Sequence, residues 1–139
     1  MVSPKATGGD VRAAVENLLG AYARLCDERD TAGLGGLLSH AVLTFGAADP
    51  VTGSDAIAAL FERAFAAGHR TRHQITNAVV TQSSPEVVTS RVAYTRWVLD
   101  PSPSLVGMGE YESEFVANEA DWCFAAHTVR RDWVQESPA

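Results

Sequence analysis

The chain has 139 residues, 46% of them apolar, and a formal charge of −6, which suits one domain with a core of its own. The acidic balance argues against nucleic acid, whose phosphates call for a basic surface, and against anionic membrane surfaces. No apolar run approaches the ~20 residues that span a bilayer, and Met1 to Asp10 lacks the apolar centre of a signal peptide, so a cytoplasmic protein is expected.

Residues 1–9 and 135–139 read as tails around a single domain at 10–134. Asp10 is a good N-cap, and Val11, Val15, Leu18, Leu19, Tyr22, Leu25 and Cys26 follow at helical spacing, predicting a helix over 10–27. Asp30 then caps a short helix carrying Leu34, Leu37 and Leu38, and residues 41–46 form a short strand. The segment Asp49 to Gly53 reads as a turn. Ser54 is expected to cap a third helix with Ile57, Leu60, Phe61 and Phe65 on one face and Gly68 as its stop. From Arg70 the period changes to two, giving strands at about 71–82, 86–99, 106–118 and 121–133. Helices followed by a meander predict an α+β fold, with three N-terminal helices packed on one face of an antiparallel sheet.

Several polar residues stand out in that frame. Asp27 lies near a helix C-terminus, where the helix dipole disfavours a negative charge, and a broken local rule is where function can reside. His73 shares a strand face with Ile75, Asn77 and Val79. A carboxylate that orients an imidazole makes a general base near neutral pH, since the unperturbed histidine pKa is about 6.5. Tyr22 lies on the buried stripe of the first helix, where a phenol needs a hydrogen-bond partner. On the third long strand Glu110, Glu112 and Glu114 alternate with Gly109, Tyr111, Ser113 and Phe115, and glycine on a covered face leaves space or marks a bend. Asn77 is open to two readings, a substrate contact or a backbone partner in a curved strand. His40, His69 and His127 lack a matching context. Cys26 and Cys123 match no metal or redox spacing and read as small buried hydrophobes. No metal cluster, phosphate loop or nucleophile elbow is present, so neither metal nor cofactor is expected.

The order of elements, with Tyr22, Asp27 and Asp30 around the first helix, Gly53 before the third, His73 and Asn77 on a strand, Gly109-Glu-Tyr111 and the Trp122…Trp133 ending, resembles the SnoaL-like branch of the nuclear-transport-factor-2-like superfamily. That branch includes polyketide cyclases, scytalone dehydratase and hexachlorocyclohexane dehydrochlorinase. The resemblance runs from Val11 to about Val134. It implies a cone-shaped α+β barrel, a strongly curved sheet wrapped around helices with a pocket between them. It also implies a catalytic dyad of Asp27 and His73. Scytalone dehydratase has a second histidine near the place of Tyr94, which this sequence lacks, leaving one His–Asp dyad aided by tyrosine. Asp49-Pro50-Val51 is superficially like the base motif of ketosteroid isomerase, but it stands too close to Gly53 and reads as the turn.

The resulting expectation is a cofactor-independent lyase or isomerase of dehydratase or cyclase type. In it His73 abstracts a proton, Asp27 orients the imidazole and Tyr22 polarises a leaving group or carbonyl. Tyr94, Tyr111, Asn77, Phe45, Phe61, Phe65, Trp97 and Phe115 are expected to hold a small, neutral, largely apolar cyclic substrate. The resemblance further implies a homodimer or homotrimer. The alternative is a non-catalytic binding or assembly module of the same fold, since fold alone does not fix function.

Overall fold

A computed structural model of the chain describes residues 9–119 and 121–135, so the expected tails fall almost wholly outside the described residues. Helices α1 (Gly9–Glu28), α2 (Thr31–Leu37) and α3 (Ser54–Ala64) are joined by the short strands β1 (Val42–Phe45) and β2 (Val51–Thr52). The long strands β3 (Thr71–Ser84), β4 (Val87–Val98), β5 (Ser104–Asn118) and β6 (Asp121–Val134) follow. The helices form as their patterns require, except that Asp10, expected as an N-cap, lies inside the first turn of α1. Val11, Val15, Leu19, Tyr22 and Cys26 make one buried stripe on α1, and the Asp30 carboxylate accepts from the Gly33 N–H at 2.8 Å to open α2.

The six strands are ordered β2-β1-β6-β5-β4-β3. The expected antiparallel pairing holds through the meander β3 to β6, whereas β1 lies parallel to β6, with Val42 to Phe45 opposite Ala126 to Val129. The sheet is therefore mixed, and it is open rather than closed, with β2 and β3 as its edges. Register shifts in all three meander pairings bend and twist the long strands. The core fills the concave side: Val15 and Leu19 of α1, Leu34 and Leu38 around α2 and Ile57 of α3 meet Leu43, Val88, Val92, Phe115 and Phe124 of the sheet.

Two local expectations are corrected. Val51 and Thr52, read as part of a turn, pair with Leu43 and Val42 as a short strand. The N-cap of α3 is Gly53, not Ser54; its φ of 92° is open to glycine at little cost, and no side chain caps the helix. No helix among the described residues is long and apolar enough to cross a membrane.

Candidate active site

The site begins at the end of α1. Arg29 adopts φ 57°, and the Arg29 and Asp30 N–H groups bond back to the Cys26 and Leu25 carbonyls at 3.2 and 3.0 Å. This is a Schellman closure with arginine in the place usually held by glycine. It fixes the last turn of α1 and with it Asp27, whose carboxylate faces the first residues of β3.

Three donors converge on that carboxylate. Thr71 Oγ1 donates to Asp27 Oδ1 at 3.1 Å. The His73 backbone N–H reaches both oxygens, at 3.1 and 3.0 Å. His73 Nδ1 stands 2.6 Å from Oδ1. An ionised carboxylate only accepts, so Nδ1 carries the proton in this pair, and the neutral ring keeps its free lone pair on Nε2. That nitrogen has no protein partner among the described residues. The two side chains are 17% and 11% exposed, sheltered but not sealed. The helix end unfavourable to Asp27 is thus offset by three hydrogen bonds, each worth more for reaching a charge.

The dyad stands between two depressions. One is an open groove of about 810 Å³ between α1 and β3, lined by Arg12, Glu16, Arg24, Asp27 and Arg72 among others. The other is a cavity of about 440 Å³ on the concave face of the sheet, bounded by Tyr22, Phe45, Phe61, Phe65, His73, Tyr94 and Tyr111. The groove is larger, but the cavity joins an imidazole to three phenols and apolar walls, the composition of a small-molecule site, and we take it as the candidate site.

The tyrosines form one connected group. Tyr94 stacks on Tyr111 with ring centres 4.4 Å apart, and Tyr22 meets Tyr111 edge-on at 5.3 Å. Burial raises the pKa of Tyr22 and Tyr111 well above the ordinary tyrosine value, and that of Tyr94 upward too. All three are therefore neutral phenols able to donate. Cys26, beneath Tyr22 and hydrogen-bonded with it, is pushed up to about 12 by burial and is a neutral thiol.

Three expected lining residues lie elsewhere. Asn77 occupies φ 57° at the register shift between Thr76 and Val79 and faces the outer groove, not the cavity. This bulge exchanges the two faces of β3, as a one-residue slip must. Ala78 and Val80 pack on the core, while Val79, expected on the His73 face, is 62% exposed. Trp97 donates from Nε1 to Thr95 Oγ1 at 3.1 Å, on the face of β4 opposite Tyr94 and Arg96. Phe115 has the expected parity but is fully buried against Phe124, with ring centres 4.7 Å apart and deeper than the cavity. The expected space on β5 is present at Gly107, which lines the cavity. At Gly109 the glycine admits a close backbone instead, since a Cβ there would meet the Arg130 carbonyl oxygen at 1.9 Å.

Sequence reasoning missed Thr71, Arg29, His69, Arg96 and Arg131, all of which line the cavity. A signal existed for Arg96 and Arg131, which stand two residues beyond Tyr94 and Val129 and so share their strand faces. Among the described residues no three His, Cys, Asp or Glu side chains cluster so as to hold a metal ion.

The model of the SnoaL-like domain family matches residues 10–128 of the chain. Similar solved structures include Aln2 from a Streptomyces species, at TM-score 0.82 and 16% identity, covering 92% of this chain and 95% of that one. A hexachlorocyclohexane dehydrochlorinase from Novosphingobium barchaimii superposes at 0.75 with 17% identity over 93% and 95% of the two chains. A candidate scytalone dehydratase from Novosphingobium aromaticivorans does so at 0.75 with 16% identity over 92% and 88%. Likeness at such identities shows the fold alone. No curated protein matches the sequence. The chain belongs to the SnoaL-like domain family.

Proposed function

We propose, from this family membership and the geometry of the dyad, that the protein is a cofactor-independent general acid/base lyase or isomerase of dehydratase or cyclase type. The observation that carries the reading is the 2.6 Å contact between His73 Nδ1 and Asp27 Oδ1 on the wall of a cavity lined by aromatic side chains. In this reading a small, largely apolar cyclic molecule lies against Phe45, Phe61 and Phe65. His73 Nε2 takes a carbon-bound proton, and Asp27 holds the ring in one tautomer and stabilises the imidazolium that forms. A neutral phenol from Tyr22, Tyr94 or Tyr111 donates to the oxygen on which charge develops. One structural neighbour is a hexachlorocyclohexane dehydrochlorinase, a catalytic member of this fold that is in keeping with the reading.

The test is solvent exchange. Cyclic ketones and β-hydroxyketones are incubated with the protein in deuterium oxide, and loss of the carbon-bound proton or appearance of the elimination product is followed by NMR. His73→Ala should slow exchange by roughly 10²–10⁴-fold, the usual contribution of a positioned base. Equal exchange by wild type and His73→Ala, with both folded, overturns the assignment. The same reading takes the protein as a cytoplasmic homodimer or homotrimer.

A further inference from the structure

Proton abstraction from an apolar molecule calls for no fixed cation, yet three arginines line the cavity, Arg29 at the end of α1 and Arg96 and Arg131 on the sheet. Arg96 lies directly opposite His73 in the β3–β4 register and opposite Gly107 in the β4–β5 register. One row further in, Tyr94 faces Gly109, which faces Arg131. The inner face therefore carries an imidazole, a guanidinium and a glycine side by side, with a second guanidinium diagonally across the glycine. Gly107 keeps the space open: a Cβ there would stand 3.7 Å from Arg96 Nε. The Arg131 guanidinium sits 5.9 Å from the centre of the Phe45 ring, at the edge of the aromatic wall.

Of the exposed arginines some pair with carboxylates and others, such as Arg24, Arg63 and Arg72, have no ion pair among the described residues; Arg96 differs from all of these in being half-buried. Arg12, Arg70, Arg91 and Arg130 each pair with a carboxylate. Arg96 and Arg131 have neither an ion pair nor a hydrogen bond among the described residues. Of the nearby carboxylates, Asp27 is committed to His73 and Thr71. Asp132 influences Tyr94 electrostatically, as do both arginines, without pairing with either. Arg96 is half-buried and Arg131 exposed; a half-buried guanidinium without a counter-charge is costly, and the planar fork of either matches a carboxylate in two parallel hydrogen bonds.

We propose that the substrate of this site carries a carboxylate, bound over Gly107 by Arg96 and Arg131, with its ring against Phe45, Phe61 and Phe65. This deepens the proposed function and rests on it only in placing the substrate in the same cavity; the expected neutral substrate gives way to an anionic one. Directly opposed side chains on neighbouring strands stand about 5 Å apart at Cβ. A carboxylate on Arg96 therefore brings the adjacent carbons of the same molecule alongside the His73 imidazole.

The test compares benzoate with benzamide, which has the same shape and no charge, by NMR titration of the full chain. Wild type should bind benzoate at least roughly tenfold more tightly than benzamide, as a charge-assisted bidentate contact implies. Arg96→Gln and Arg131→Gln should each reduce that preference, and the double variant should abolish it by weakening benzoate binding far more than benzamide binding. Arg96→Lys should keep part of it, the charge without the fork, and carries the test if Arg96→Gln fails to fold. His73→Asn should retain the preference. Equal binding of the two probes, no saturable benzoate binding, or a preference that survives the double arginine variant overturns the proposal. So does a preference lost in His73→Asn. A wild-type benzoate preference alongside full turnover by His73→Ala removes the dyad and leaves the arginine site standing, so the two readings fail separately.

Discussion

Two histidines on the same sheet show what separates a base from a filler. His73 and His127 both lie on the concave face and each has one polar partner at hydrogen-bond distance. For His73 the partner is the Asp27 carboxylate at 2.6 Å; for His127 it is the Ser113 hydroxyl at 2.8 Å. His127 is fully buried among Tyr22, Tyr111 and Phe124, its Nε2 has no hydrogen-bond partner, and burial lowers its pKa to about 3. Among the described residues no carboxylate pairs with it to stabilise a proton there. His73 keeps a carboxylate behind it and a cavity before it. Residue type is the same in both places; the partner's charge and access to a ligand make the difference.

The strongest way to break this comparison is to give His73 the neutral partner that His127 has. Asp27→Asn leaves the ring in place but lets a carboxamide face Nδ1 and removes the charge that stabilises the imidazolium. Turnover should fall by roughly 10²–10⁴-fold, read as kcat in the solvent-exchange assay, with Tm near that of wild type. Next comes the pH dependence of stability. The His127 pKa is held at about 3 in the folded state against about 6.5 unfolded, so the unfolded chain binds the extra proton between those values. The contribution of this site is intact above pH ~6.5 and is lost, at about 1.4 kcal/mol per pH unit, as pH falls toward ~3. Urea unfolding across that window should show the slope. Replacing both members of the neutral pair, His127→Leu with Ser113→Ala, should remove that component while activity at neutral pH persists.

A smaller effect tests the support of the dyad. Thr71→Val keeps the strand and deletes one donor to Asp27; a kcat lower by about tenfold is expected, equivalent to about 1.4 kcal/mol. The smallest concerns Asn77, whose positive φ serves the bulge. Asn77→Gly should shift stability by less than about 1 kcal/mol and leave turnover unchanged. A large loss of activity there would return Asn77 to the substrate site.

Much of the fold was legible because it rests on local periodicity. The stripe of α1, the Asp30 cap and the change from period near four to period two at Arg70 each follow from a few neighbouring residues. Errors arose where a single backbone event resets parity or direction. The bulge after Thr76 turned Asn77 and Val79 away from His73; Trp97 is a different case, since plain alternation already puts it on the face opposite Tyr94 and turns Arg96 in. The parallel entry of β1 beside β6 is a long-range choice with no local mark. For the site, the pairing of Asp27 and His73 came from resemblance rather than from any pattern in the residues themselves.

Which segments become helices and strands, and which apolar faces they bury, follows from the residues alone, because burial of a periodic face is the dominant favourable term and its period is written locally. The residues also place a carboxylate where a helix end disfavours one. The meeting of the Asp27 carboxylate with His73 and Thr71, and the sealing of His127 in the core, come from the folded arrangement. It alone brought Arg96 and Arg131, which have no ion pair among the described residues, to the cavity beside Gly107. Those outcomes depend on register and sheet curvature, which bring together residues distant in the chain and set how much water and charge each one keeps.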